Sequence, residues 1–404
     1  MKNAVKLPVM MFLQFMLLPV WFVPMVPYVR SLPGGEPWVV YCGLVMGFGT
    51  LVSPVFGMFA DRFFNAEKVL ALCNLACAAL LAGAAATSDP AVLFVLLLGV
   101  MCFYMPTWAL TATIAMANSS REAFPRIRVF GTLGWVSSGV FSIAAANFFG
   151  IPEFDSTRWI FAAGSLVALA GGLFAFALPA TAAGGSAGRV SLADALGFKA
   201  FALFRNPQFA VFSALIFFAM VPFQWYNVYC AAYLKESGFK YLTATLNLGQ
   251  AGEIVFMLLI PAILRKFGYK WAMVLGMATL ALRNVFFFVS SAMGCAVCDF
   301  FGIVVHGLIF GLLIVGSQMY IDDVAPRALR NQAQGLVNMV TAGLGVFASN
   351  ALFDRIVRAY GWPASFLVSF VCAAVCAVLM AAFFRPRAGG DFGGDFAAPR
   401  CGEI

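Results

Sequence analysis

Residues 91–117, AVLFVLLLGVMCFYMPTWALTATIAMA, run for twenty-seven positions without a charge. A helix needs about 20 mostly apolar residues to cross the hydrocarbon core of a bilayer. Such a run is too long to bury in the core of a small globule, and it is one of many. Walking the chain gives twelve candidate spans, at 7–29, 37–60, 68–87, 91–117, 129–150, 158–180, 208–233, 241–264, 271–290, 297–321, 332–353 and 363–384. Only 10% of the residues are charged and 63% are hydrophobic, against about 25% charged in ordinary soluble domains. The sequence therefore predicts an all-α membrane protein. Lys2 and Lys6 ahead of the first span give it the look of a signal peptide, but the span is too long and no small-residue cleavage site follows. Pro19, Pro24 and Pro27 predict kinks there, which neighbouring helices can re-satisfy.

The net charge of +8 is informative through its placement. With the N-terminus in the cytoplasm, eighteen of the 25 basic residues fall on the inner side, six on the outer side, and Arg283 inside a span. That bias predicts both termini in the cytoplasm. It accounts for the basic balance without nucleic acid.

The two ends of the sequence echo each other. GMFADRFFNAEKVL (57–70) follows the second span and PAILRKFGYKWAMVLG (261–276) closes the eighth. SSREAFPRIRVFGTLG (119–134) is matched by DDVAPRALRNQAQGL (322–336). Six spans, a polar connection and six more spans form the layout of a two-half secondary transporter. The expected organisation is a six-helix bundle over 1–180, a cytoplasmic linker over 181–207, a second six-helix bundle over 208–386 and a disordered tail over 387–404.

Inside the eighth span, a carboxylate stands in an apolar run: LTATLNLGQAGEIVFMLLIPAIL (242–264) contains Asn247, Gln250 and Glu253. Residues three or four apart share a helix face, so these form one polar stripe, and Gln224 and Asn227 form another on the seventh span. A charge in the bilayer costs roughly 2.5 to 3.5 kcal/mol on insertion scales and normally faces protein or water. Two readings of Glu253 stand at this point. It pairs with Arg283 of the next span as a structural ion pair, or it meets a solute or a proton in a water-filled cavity, changing protonation state as access alternates. The amides suit a neutral, hydroxyl-rich ligand because they both donate and accept. Trp135, Trp225 and Tyr226 offer flat faces to a ring. Gln224 and Asn227 also fit as interhelical glue.

Gly57, Asp61 and Arg62 form a G-x-x-x-D-R that resembles the loop signature of the major facilitator superfamily. More specific is a set spread over residues 10 to 340. It comprises Gln14, Phe15 and Trp21, then YMPT (104–107), FPRIRVFGTLGW (124–135), FALFRNPQ (201–208), QWYN (224–227), QAGE (250–253), LRN (282–284) and AQGL (333–336). Together they resemble the nucleoside:proton symporters of that superfamily. The resemblance implies the major facilitator fold of twelve transmembrane helices in two six-helix halves, and alternating access. It implies proton-coupled import of a nucleoside as the function, with transport of another small polar solute such as a sugar, uncoupled or exporting, as the alternative. It carries substrate binding to Arg128, Thr132, Trp135, Gln224, Asn227, Gln250 and Glu253, with Glu253 the candidate for proton coupling. Asp61 and Arg62 become a conformational latch. One departure stands out. The family expects an acid in the tenth helix, and HGLIFGLLIVG (306–316) has none. His306, the single histidine, lies there, either as a proton group or as a satisfied core residue.

The expected partners are a nucleoside, a proton and the lipid bilayer, with no nucleic acid, for a monomer in the cell inner membrane. No cofactor or metal is expected: CAVC (295–298) has no second pair to complete a zinc site. No phosphate-cradling loop follows a strand, and no nucleophile–base spacing suggests an enzyme.

Overall fold

The computed structural model describes residues 2–63, 65–120, 123–181, 198–325, 333, 337 and 339–386, without the side chains at 2–4, 52–63, 125, 198–200, 257, 258, 261, 322, 340 and 342. Most of the expected linker, the whole expected tail, and the side chains of Asp61 and Arg62 lie outside that description.

The described chain is helical. The main elements are α1 (Lys2–Phe22), α2 (Met25–Ser31), α3 (Trp38–Phe63), α4 (Ala66–Ala86), α5 (Pro90–Ala117), α6 (Phe124–Ser137), α7 (Val140–Phe148) and α8 (Trp159–Ala175). They continue with α9 (Pro207–Glu236), α10 (Leu242–Met293), α11 (Ala296–Val304), α12 (His306–Ile309), α13 (Gly316–Val324) and α14 (Gly345–Phe383). Eight helices among the described residues are long and apolar enough to cross a membrane, and Trp38–Leu51 and Trp159–Ala175 are shorter apolar helices.

Local chemistry sets several of the starts. Asp89 accepts from the backbone N–H groups of Ala91 and Val92, and Pro90 takes the first helical position, where no N–H is needed. Asn206 does the same for Gln208 and Phe209 ahead of Pro207. The interruption between α1 and α2 falls at Val23–Pro24, where the sequence carries its proline cluster. Glycine sets two breaks inside the longest elements. Gly268 sits at φ +70° within α10 and Gly361 at φ +74° within α14, and each splits its element into two helices. A Cβ residue would strain that backbone.

Leu72, Leu166, Leu173 and Val378 are exposed apolar side chains on these helices, as lipid-facing positions require. One core joins α1, α4, α5, α6 and α8 around Leu70, Leu110 and Ile114. Another joins α9, α10, α13 and α14 around Phe212, Met277 and Tyr320. The largest, around Trp21, Tyr104, Trp225 and Phe366, runs through both sets of helices. Past α12 the helix widens into a π-helical stretch at Phe310–Val315, and a second π stretch occupies Met339–Leu344. Such bulges interrupt regular packing and recur at functional sites.

Candidate substrate site

Arg128, Thr132 and Trp135 occupy one face of α6, at spacings of four and three. The glycines of RVFGTLGW let that face approach α1. A Cβ on Gly134 would fall 2.1 Å from the carbonyl oxygen of Phe12, so no larger residue fits without separating the helices. Arg128 is exposed, and its guanidinium lies 4.0 Å over the ring of Phe15, a cation–π contact that holds the charge against α1. Thr132 and Trp135 are half-buried.

The other polar residues lie on α9 and α10. Gln224 and Asn227, three residues apart on α9, bond each other: Asn227 Nδ2 donates to Gln224 Oε1 at 2.9 Å. Gln250 is half-buried on α10 and Glu253, one turn on, is buried at 7% exposure. Among the described residues Glu253 makes no ion pair, with Arg283 or any other cation. The sequence left a structural Glu253–Arg283 pair open; the structure turns Arg283 elsewhere. Its Nη1 lies 3.4 Å from His306 Nδ1, and its guanidinium stacks 4.6 Å over the ring of Tyr226.

Backbone proximity fixes this geometry. A Cβ on Gly307 would stand 2.4 Å from Glu253 N and 2.5 Å from Gly252 C. The α10 and α12 backbones therefore touch, small residue against small residue, the usual device for close helix contact in lipid. The contact brings His306 Nε2 to 3.1 Å from the Gln250 amide. His306 is buried at 1% exposure, stacked 4.6 Å from Tyr226 and 5.6 Å from Phe223.

Asn247, the third member of the α10 stripe, has another task. Its Nδ2 donates to Val136 O and Ser138 Oγ, each at 3.0 Å, and to Trp135 O at 3.3 Å. It ties α10 to the end of α6. Gln14 and Thr107, both in motifs that carry the family resemblance, are also internal. Gln14 Nε2 donates to Thr107 Oγ1 at 2.6 Å, and Asn74 Nδ2 donates to Gln14 Oε1 at 2.9 Å. Asp299 is buried and accepts from the Tyr233 hydroxyl at 2.9 Å.

Sequence reasoning missed the contacts that join the helix ends near Asp155. Asp155, in the short 3-10 turn Phe154–Ser156, accepts from Thr243 Oγ1 at 2.8 Å and from Thr243 N at 3.3 Å. Lys235 pairs with Glu153 at 3.7 Å, Arg30 with Glu236 at 2.8 Å, and Trp362 Nε1 donates to Glu236 at 2.6 Å. An acid in a short loop carries no sequence signal for so distant a partner.

The long apolar helices are those of a multi-pass membrane protein. A D-xylose-proton symporter aligns with a TM-score of 0.74 at 13% identity, covering 95% of this chain and 98% of that one. The nucleoside transporter NupG aligns with a TM-score of 0.82 at 24% identity, covering 96% of this chain and all of that one. The chain belongs to the nucleoside H+ symporter family, whose model matches residues 1–389. In sequence it is 37% identical over 355 residues to YegT of Escherichia coli (strain K12), covering 85% of this chain and 82% of that protein. The xanthosine permease of the same organism is 28% identical over 379 residues, 88% of each chain. The protein is a transporter and not an enzyme.

Proposed function

We propose that the protein imports nucleosides together with protons by alternating access, with twelve spans in two six-helix halves, 1–180 and 208–386, rocking about the polar cluster. The observation that carries this reading is the tie between α6 and the polar stripe of α10, where Asn247 donates to the carbonyls of Trp135 and Val136, with Gln250 and Glu253 further along that stripe. A cluster of that kind has few anionic ligands' requirements, since Arg128 is its one exposed cation, and it offers donors and acceptors to hydroxyls and a base. Arg128, Thr132, Trp135, Gln224, Asn227, Gln250 and Glu253 would hold the solute. With no acid in the matching stretch of the tenth span, 306–316, Glu253 would carry coupling alone. The contacts of Asp155 with Thr243, Glu153 with Lys235 and Arg30 with Glu236 support a state closed on the outer side. Asp61 and Arg62 would act as the inner latch, and the protein would work as a monomer in the inner membrane with both termini cytoplasmic.

Uptake of labelled uridine and adenosine into proteoliposomes, with and without an inward proton gradient, tests this. Gradient-driven uptake supports symport; gradient-independent uptake leaves a nucleoside facilitator. Uptake of neither, with a sugar accumulated instead, overturns the nucleoside reading.

A further inference from the structure

Arg283 is fully buried, and two of its nitrogens, Nε and Nη2, have no hydrogen-bond partner among the described residues. Tyr226 and Phe223 lie against its guanidinium face, at 4.6 and 5.7 Å. Its polar contact is Nη1 with His306 Nδ1 at 3.4 Å. A guanidinium has only donors, so whatever faces Nη1 must accept. His306 Nε2 in turn lies 3.1 Å from Gln250 Nε2.

Two assignments of hydrogens are open to this chain of three side chains. In one, the imidazole carries its hydrogen on Nδ1 and accepts from the Gln250 amide at Nε2. That sets the Nδ1–H head to head with an Arg283 N–H, in a buried place where an unmade bond costs about 1 to 3 kcal/mol. In the other, Nδ1 presents its lone pair to Arg283 and Nε2–H donates to Gln250. The Gln250 amide must then be turned about its last bond, so that Oε1 stands where Nε2 is placed. The two amide ends are nearly the same size and are told apart only by their hydrogen bonds. An imidazolium fails on both counts, having no lone pair for Arg283 and a like charge beside it.

We propose that Arg283 and His306 are positioning residues that fix the polarity of the substrate site. Arg283 holds His306 as the neutral Nε2–H tautomer, His306 holds the Gln250 carbonyl oxygen, and the Gln250 NH2 is thereby aimed at the solute as a pure donor. The histidine standing where the tenth-helix acid is missing is then a fixed dipole and carries no transported proton. Gln224 is set in the same sense, because its Oε1 is taken by Asn227. The site reads acceptor atoms of the solute, a base carbonyl or a sugar oxygen, with two amide NH2 groups. The statement about the solute rests on the proposed transport function; the statement about the tautomer does not.

His306 is the single histidine of the chain, so a preparation free of a polyhistidine tag and labelled with 15N-histidine gives one imidazole spectrum. The expected spectrum without solute shows a protonated Nε2 and an unprotonated Nδ1. A protonated Nδ1, in a neutral or a doubly protonated ring, overturns the proposal. In Arg283→Met the ring is expected to lose its single tautomer, and the KM for nucleoside uptake to rise about tenfold, the factor of one lost hydrogen bond. An unchanged spectrum in that variant removes Arg283 from the arrangement. If Arg283→Met does not fold, the spectrum of the unmodified protein alone decides. Because that spectrum needs no solute, an absence of nucleoside uptake leaves it fully readable.

Discussion

Gly307 is pressed against the backbone of Glu253. A Cβ there would lie 2.4 Å from Glu253 N and 2.6 Å from Glu253 Cα. The contact holds the acid at a fixed height beside His306 and Gln250, and no flexible side chain stands between the two helices to yield.

Gly307→Ala is therefore expected to force the two helices apart, at a cost of about 1 to 3 kcal/mol typical of overpacking, and to lose most uptake. Gly83→Ala is the control: its Cβ would meet only Leu96 side-chain carbons at 3.5 Å, an ordinary contact. Comparing Tm in detergent and uptake in liposomes for the two variants checks this. Equal behaviour would mean that the close approach has no role.

Glu253→Gln keeps the shape of the side chain and removes its charge. If Glu253 couples proton to solute, this variant should still exchange nucleoside across the membrane but should no longer accumulate it against a gradient. Arg128→Gln removes the guanidinium that lies over Phe15 and should instead weaken solute binding. Counterflow and gradient-driven uptake, measured side by side, separate the two defects. Retained accumulation in Glu253→Gln would refute coupling through this carboxyl.

The Gln14–Asn74–Thr107 network joins α1, α4 and α5 with buried amide and hydroxyl bonds. Bonds of this kind between membrane helices are worth about 0.6 kcal/mol on average and up to about 1.7. Asn74→Leu should lower Tm by a few degrees and leave the order of preference among nucleosides unchanged. A changed preference would bring Gln14 into the substrate site.

The parts of this molecule legible in its sequence are those that composition and periodicity write locally. Apolar runs such as 91–117 marked helices, and Gly268 lies between the expected eighth and ninth spans, 241–264 and 271–290. The spacing of Gln224 with Asn227 and of Gln250 with Glu253 placed each pair on one face, and the structure keeps both. Side-chain partners were not legible. Arg283 was weighed as a mate for Glu253 because the two lie on consecutive spans, yet it faces Tyr226 and His306. Asn247 continues the polar stripe by spacing, yet it is spent on the carbonyls of α6. Those outcomes depend on rotations of whole helices, set by glycine contacts such as Gly307 on Glu253 and Gly134 on Phe12, which no single stretch of sequence records.

The Asp155–Thr243 contact should respond to pH. Burial, the largest influence, pushes the Asp155 carboxyl up from its ordinary 3.8 to about 6, while hydrogen bonds from Thr243 pull it partly back. When the contact opens, the carboxyl returns to water and to its ordinary range. A group whose pKa is higher in the closed form binds its proton more tightly there, so protonation favours closure. The added stability is fully present below about pH 4 and is lost as pH rises through about 6. Fluorophores carried by unnatural side chains at Phe149 and Lys240 would report the separation of the two elements. The closed fraction should rise as pH falls through that window, and Asp155→Asn, which cannot ionise, should abolish this group's share of the dependence. A closed fraction that is flat across the window in the unmodified protein would show that the carboxyl does not open to water during the transport cycle.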